Sequence, residues 1–198
     1  LGDVYKRQVV AAPADPILGL TEEFKKDTRA EKINLGVGIY KNEQGETPVL
    51  ATVKKAEAAL IETEKTKSYL TIEGTAEYGL AVQKLLFGAD AEIVAGKRAK
   101  TAQAPGGTGA LRVAGEFIKR QLGEVKIWIS NPTWANHNGV FTAAGIETAQ
   151  YSYYNAETKD KDFDAMLNDL QAASEGDVVL LHGCCHNPTG IAVSYTHL

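Results

Sequence analysis

The chain is short of several things, and each shortage removes a class of protein. Its 198 residues include only two cysteines, Cys184 and Cys185, and these are adjacent. Neighbouring Cα atoms lie too close for an ordinary disulfide, so no disulfide framework holds the fold, which suits a reducing cytoplasm. No apolar run approaches the roughly 20 residues that a membrane span needs. Basic residues are not in excess: 21 Lys and Arg stand against 25 Asp and Glu, a net charge of -4. No basic stripe is present, which argues against nucleic-acid binding. There is no internal repeat, no low-complexity tract and no signal-peptide pattern. What is present is ordinary for a globular domain with a sizeable core: 44% hydrophobic and 23% charged residues.

Both ends read as foreign. The first eight residues (LGDVYKRQ, 1–8) and the last six (VSYTHL, 193–198) resemble translated sequencing adapter, and the single methionine is Met166. The expectation is a natural polypeptide of roughly 9–192 that continued in both directions.

Asp15-Pro16 is a helix-start signal, with Ile17, Leu20 and Phe24 at helical spacing up to about Asp27. Ile33, Leu35, Val37 and Ile39 alternate as in a short strand or arm, broken by Gly36 and Gly38. Asn42–Pro48 reads as a polar turn. Helices are predicted over about 49–64 and 75–87, the second ended by Gly88. From Lys100 a strand–helix rhythm begins. Strands are predicted at 100–104, 125–130, 146–154 and 178–185, with helices over about 110–122, from Trp134 to about 144, and 163–173. Asp160 or Asp162 is the candidate cap of the last helix, and Phe163, Met166, Leu167 and Leu170 form its buried stripe. Strands alternating with helices imply a three-layer α/β/α fold on a mainly parallel sheet. Ligands of such sheets bind beyond the carboxyl ends of the strands.

Three strand ends carry chemistry. Ala104-Pro105-Gly106-Gly107-Thr108-Gly109 places glycines before a helix, where free N–H groups and the positive end of the dipole suit an anion. No Gly-Lys-Ser/Thr follows and the G-x-G-x-x-G spacing is missing, so neither a triphosphate loop nor a dinucleotide fingerprint is present. Plain turn punctuation is the alternative. Ser130-Asn131-Pro132-Thr133-Trp134-Ala135-Asn136-His137 offers an indole that can stack on a planar ring, or else plug the core. His137 by itself reads as a surface or helix-capping histidine. In His186-Asn187-Pro188-Thr189-Gly190, Pro188 fixes a turn and Asn187 offers donor and acceptor. On an extended strand His182, Cys184 and His186 would share one face, with Cys185 on the other. Side chains ~6–7 Å apart along one strand are too far apart to close on one zinc, so no metal is expected. One end for phosphate, one for stacking and one for an amide fit a phosphorylated aromatic ring such as pyridoxal phosphate.

The motifs DPILGL, INLGVGIY, SYLTIEG, TAQAPGGTGALRVAGEF, SNPTWANH and HGCCHNPTG together resemble the N-terminal half of the class I aspartate aminotransferases, pyridoxal-phosphate enzymes of fold type I. The aromatic aminotransferases are near relatives. The resemblance covers essentially Ala11–Ile191. It implies an N-terminal arm and part of a small domain over 9–48, and part of a cofactor-binding large domain over 49–192. It implies that Gly106, Gly107 and Thr108 hold the cofactor phosphate, although many relatives carry serine where Gly106 stands. Trp134 would stack on the pyridine ring near the substrate's side-chain carboxylate. Asn187 would bond the phenolic oxygen and help orient the α-carboxylate. Gly38 would offer its backbone to substrate, and Tyr69 would reach the phosphate of a neighbouring subunit's cofactor in a homodimer. His137, His182 and His186 would back the acid that supports the ring nitrogen. The Schiff-base lysine is expected to lie outside this chain, leaving the piece itself inactive. The implied reaction moves an amino group between L-aspartate and 2-oxoglutarate. Aromatic substrates, or a non-catalytic phosphate-binding α/β module, are the alternatives.

Overall fold

Lys126–Asn131 (β1) is the centre of the sheet. Its run Ile127-Trp128-Ile129-Ser130 is buried throughout, as expected of a strand covered on both faces. In the computed structural model, which describes residues 18–34, 36 and 38–193, β1 lies between Glu147–Ser152 (β2) and Val178–Val179 (β5), in the order β2-β1-β5. Both pairings are parallel, with Ile127 opposite Thr148 on one side and Val178 on the other. Tyr154–Asn155 (β3) and Asp160–Lys161 (β4) form a separate antiparallel pair.

Alternation along β1 sorts the core into two layers. Ile127 and Ile129 pack with Phe141, Ala144 and Ile146, backed by Leu111 and Ile118. Leu111 and Ile118 belong to the helix Gly106–Leu122 (α5) and Phe141 to Asn136–Ala143 (α6), with Ala144 and Ile146 just after it. Trp128 faces the other way, with Tyr151, Tyr153, Met166 and Val193; Met166 belongs to Phe163–Leu170 (α7). Helix, sheet and helix thus make the three layers. Asp177 pins the start of the sheet. Its carboxylate accepts from the Lys126 and Ser174 amides at 2.9 and 3.0 Å and from the Trp128 indole at 3.0 Å. Those bonds, the Lys126 amide foremost, hold Asp177 below the usual carboxylate range.

The described residues divide into two compact units, with the boundary in the chain between Lys67 and Ser68. The first holds Leu18–Lys26 (α1) and Ala51–Thr63 (α2). Lys32 closes α1: its ammonium donates to the Phe24 and Asp27 carbonyls at 2.9 and 2.6 Å. The Asn42 carboxamide accepts from the Gln44 and Glu46 amides, forming the expected polar turn. The second unit begins with Ala76–Phe87 (α3) and Glu92–Ala95 (α4). Thr75 caps α3 by accepting from the Tyr78 amide, and Gly88, at φ 96°, ends it.

Several elements depart from the sequence expectation. Helix α5 begins at Gly106 rather than near Ala110, so the glycines form its first turn. Residues 100–104 form no strand. The Gln103 amide donates instead to the Glu73 carbonyl at 2.9 Å, because no described strand lies alongside to complete a ladder. The described residues of 33–39 are likewise not a strand. The strand expected over 178–185 stops at Val179, and a bend follows at Gly183, Cys184 and Cys185. Asp162, not Asp160, caps α7, accepting from the Ala165 amide. Asp15-Pro16, most of the arm 11–20, Leu35, Val37, the stretch 1–8 and residues 194–198 lie outside the described residues.

Where α5 crosses α6, Gly115 is buried, and a Cβ there would meet the Ala144 Cβ at 3.0 Å and the Phe141 ring at 3.5 Å. A valine adds branched bulk at that contact. We expect Gly115→Val to lose about 1–3 kcal/mol in urea unfolding. Gly139→Ala, in α6 with nothing within 4 Å of its Cβ, should gain roughly 0.5–1 kcal/mol from helix propensity.

Candidate functional site

The bend after β5 builds the site. On an extended strand His182 and His186 would sit roughly 13 Å apart. Their rings instead stack at 4.2 Å, with planes 20° apart. The cause is backbone: Cys185 adopts φ 48°, the left-handed region that side chains other than glycine seldom enter. The chain therefore reverses, and the expectation that His182, Cys184 and His186 share one strand face fails. So does the placement of Cys185 on the opposite face. The Cys185 thiol pushes that of Cys184 above its ordinary range.

His186 is 2% exposed and anchored from both sides. Its Nε2 lies 2.9 Å from the Ser130 hydroxyl at the end of β1, and its Nδ1 lies 2.9 Å from the Thr189 hydroxyl. Tyr153 stacks on its other face at 3.8 Å. His182 continues the row to His137 at 5.3 Å, and His137 meets the Trp134 indole edge-on at 5.4 Å. Trp134, His137, His182, His186 and Tyr153 thus form a continuous row of rings across the carboxyl ends of β1 and β2. His137 is buried, not a surface residue, and lies 2.7 Å from the Thr133 hydroxyl.

Burial keeps this row neutral. Desolvation lowers all three imidazoles, and His186 is brought down to about 4. Mutual repulsion acts in the same direction: a charge on His182 opposes one on His137 or His186. The Asn187 amide donates to His182 Nδ1 at 3.1 Å. In the neutral ring the proton therefore sits on Nε2, a buried nitrogen with no hydrogen-bond partner among the described residues. Burial also pushes the Tyr151 phenol up to about 12; its hydroxyl donates to the Leu180 carbonyl at 2.8 Å.

A cavity of about 330 Å³ opens on this row, lined by Leu111, Trp134, His137, His182, Cys184 and Asn187 among others. Two of the expected ligand-binding residues, Trp134 and Asn187, therefore meet in one cavity with two of the three histidines. Leu111 brings in α5, one turn after Thr108. Gly106, Gly107 and Thr108 are exposed on the first turn of that helix, whose N-cap, Pro105, makes no side-chain capping bond. A Cβ on Gly106 or Gly107 would meet nothing within 4 Å, so the turn is open to an anion. Tyr69 is fully exposed and lines a different groove, with Gly74, Ala76 and Thr101. Gly38 lies in the first unit, where an added Cβ would meet nothing within 4 Å. The sequence reading passed over Ser130, Thr133, Tyr153 and Thr189 as partners of the imidazoles. Ser130 and Thr133 sit inside a motif already singled out; Tyr153 carried no local signal.

A family model for aminotransferases of class I and II matches residues 30–198. The chain belongs to that family. It is 59% identical over 183 residues to aspartate aminotransferase of Haemophilus influenzae, an alignment covering 92% of this chain and 46% of that protein. The aspartate aminotransferase of Escherichia coli is 57% identical over the same shares. A crystal structure of the aromatic-amino-acid aminotransferase of Burkholderia pseudomallei, covalently bound to pyridoxal phosphate, matches with a TM-score of 0.89 at 47% identity. That match covers 96% of this chain and 48% of the other. The chain thus spans about half the length of the relatives it matches. The cofactor of the family is pyridoxal phosphate, and the three-layer fold seen here is the family's. No helix among the described residues is long and apolar enough to cross a membrane.

The neutral imidazoles carry a pH consequence. A histidine unfolds to an ordinary value near 6.5, while His186 is held at about 4 in the fold. Between those values the unfolded chain binds the extra proton. Stability is therefore full above pH 6.5 and falls as the pH drops towards 4, by about 3 kcal/mol from His186 alone. Urea midpoints at pH 7 and pH 5 measure this, and His186→Gln should flatten the difference; an unchanged slope in the variant would count against neutral burial.

Proposed function

We propose that this chain contributes the cofactor cleft of an aminotransferase that moves an amino group between L-aspartate and 2-oxoglutarate. The observation that carries the reading is the single cavity joining Trp134 and Asn187 to a row of imidazoles held neutral. An indole, an amide and an unpartnered imidazole N–H suit a flat, polar, anionic ring better than an apolar ligand.

Pyridoxal phosphate, when bound, supplies an electron sink for the α-carbanion of an amino acid. Gly106, Gly107 and Thr108 would hold its phosphate by backbone amides and a hydroxyl at the positive end of α5. Trp134 would cover the ring and exclude water. Asn187 would donate to the phenolic oxygen and help set the substrate α-carboxylate. His137, His182 and His186 would stand behind the ring nitrogen, where neutral N–H groups orient a neighbouring acid without adding charge. Gly38 would give backbone contact to a substrate carboxylate. Tyr69, exposed as it is, would serve a neighbouring subunit's phosphate in a homodimer. The residues lining the cavity include no lysine, so the anchoring lysine would come from another part of the full-length protein. In this reading 9–48 belongs to the arm and small domain and 49–192 to the large domain.

An aromatic aminotransferase is the second reading, favoured by the structural match to the Burkholderia pseudomallei enzyme. The full-length protein mixed with pyridoxal phosphate should absorb in the visible, and aspartate should bleach that band; a spectrum indifferent to aspartate but responsive to phenylalanine would select the second reading, and one indifferent to both would overturn the proposal. Trp134→Phe should weaken cofactor retention roughly five- to tenfold, in line with ~1 kcal/mol of lost stacking, while urea stability stays near that of the parent.

A further inference from the structure

The loop 186–193 brings Asn187 to the cavity. Among the described residues no hydrogen bond holds the Asn187 carboxamide; its place is set by the main chain, whose amide donates to His182 Nδ1 at 3.1 Å. Whatever fixes that main chain therefore aims the side chain. The entry is fixed at His186, by the Ser130 hydroxyl and by ring stacking. The turn closes on itself, the Gly190 amide donating to the His186 carbonyl at 2.7 Å. The exit is held by the Tyr153 hydroxyl, which donates to the Ile191 carbonyl at 2.7 Å and accepts from the Val193 amide at 3.1 Å. The same phenol ring lies 3.8 Å from the His186 ring, with planes 10° apart. Entry and exit thus meet on one buried side chain just past β2. We infer that Tyr153 is a positioning residue, clamping the loop 186–193 so that the Asn187 carboxamide stays in the Trp134 cavity and the His182 proton stays on Nε2.

Plain core filling is the competing role, since Tyr153 packs with Trp128, Tyr151, Met166 and Val193. Phenylalanine fills the same space, and a buried hydroxyl costs free energy unless it is bonded. Both bonds of this hydroxyl go to the main chain of the Asn187 loop. Burial raises the phenol above its ordinary range, so it keeps the proton that it donates to Ile191. Removing the hydroxyl leaves the Ile191 carbonyl and the Val193 amide unmet. The exit is then free, the loop can pivot about His186, and the Asn187 amide no longer stays on His182 Nδ1. A neutral imidazole without that fixed donor takes either tautomer.

The action on the carboxamide rests on the function proposed above; the hold on His182 does not, and the two are measured separately. In the cofactor-free full-length protein, the isotope-labelled histidine ring nitrogens are read by NMR at neutral pH, with His182→Gln assigning the signals. The parent should show His182 protonated on Nε2, and Tyr153→Phe, which keeps the stacked ring, should show a mixture of tautomers. An unchanged His182 tautomer in folded Tyr153→Phe overturns the inference, whatever the protein catalyses. The Kd for pyridoxal phosphate is then compared in the parent, Tyr153→Phe, Asn187→Ala and the double variant. Tyr153→Phe should weaken binding roughly three- to tenfold, the range for one lost hydrogen bond. The double variant should bind within about twofold of Asn187→Ala, because the clamp acts through that residue. Additive losses mark Tyr153 as core filling and overturn the inference. A parent that binds no pyridoxal phosphate overturns the functional reading, and the tautomer alone then decides the role of Tyr153. Should Tyr153→Phe not fold, hydrogen exchange in the parent decides. Releasing the phenol frees both ends, so the Asn187 and Val193 amides should exchange within about threefold of each other; Asn187 opening roughly tenfold or more faster than Val193 overturns the clamp.

Discussion

Burial of the His186 imidazole is the constraint on which the carboxyl end of the sheet depends. At 2% exposure its two ring nitrogens must find partners, because an unmet buried polar group costs about 1–3 kcal/mol. The partners come from different parts of the chain: Ser130 at the end of β1 and Thr189 three residues downstream. Its faces are covered by Tyr153, just past β2, and by His182, before the bend. One side chain therefore ties the ends of two neighbouring strands to the loop that follows the third. Tyr153 extends the tie, donating to the Ile191 carbonyl at 2.7 Å and accepting from the Val193 amide at 3.1 Å. The loop is held from both ends without a strand ladder.

That arrangement also explains the electrostatics. A charged imidazole in this row would lose hydration and face two other imidazoles, and both effects favour the neutral ring. Neutral imidazoles have one donor and one acceptor each, so fixing one nitrogen fixes the other. Asn187 does this for His182: its backbone amide takes the Nδ1 lone pair and leaves the Nε2 proton facing inward. The asparagine beside the cavity thus sets the polarity of the ring behind it through the main chain, and its side chain is left for other work.

The layered core was legible from residues because its signals are local. The strand over 125–130, the stripe through Met166 and Leu170, the aspartate cap of α7 and the Gly88 stop of α3 each rest on signals within a turn or a few residues. The segments around Gly106, Trp134 and Asn187 stood out in the sequence because each sets unusual residues at a turn, and the structure brings Trp134 and Asn187 to one cavity. The bend was not legible. Val178 to Cys185 is an apolar run, and nothing in it marks Cys185 for a left-handed backbone, which usually falls to glycine or asparagine. The strand expected at 100–104 failed for a different reason: its side chains suit a sheet, but strand formation needs a neighbour, and Gln103 finds only the turn around Glu73 and Gly74.

The misplaced strand is the more informative error, because the residues that break it are the ones that make the site. Had 178–185 stayed extended, His182 and His186 would stand apart, each able to hydrate and ionise, and Ser130 would lack its buried partner. Reversal at Cys185 exchanges a few ladder bonds for ring stacking, two hydroxyl contacts and a desolvated row. It also leaves Asn187 close enough to bond His182 while facing the same cavity as Trp134. Local strain at a non-glycine residue persists only where the surroundings over-determine it. Here they do: a buried imidazole on one side of Cys185 and the sheet-bound Leu180, whose amide donates to the Trp128 carbonyl at 2.9 Å, leave the intervening residues no extended path between them.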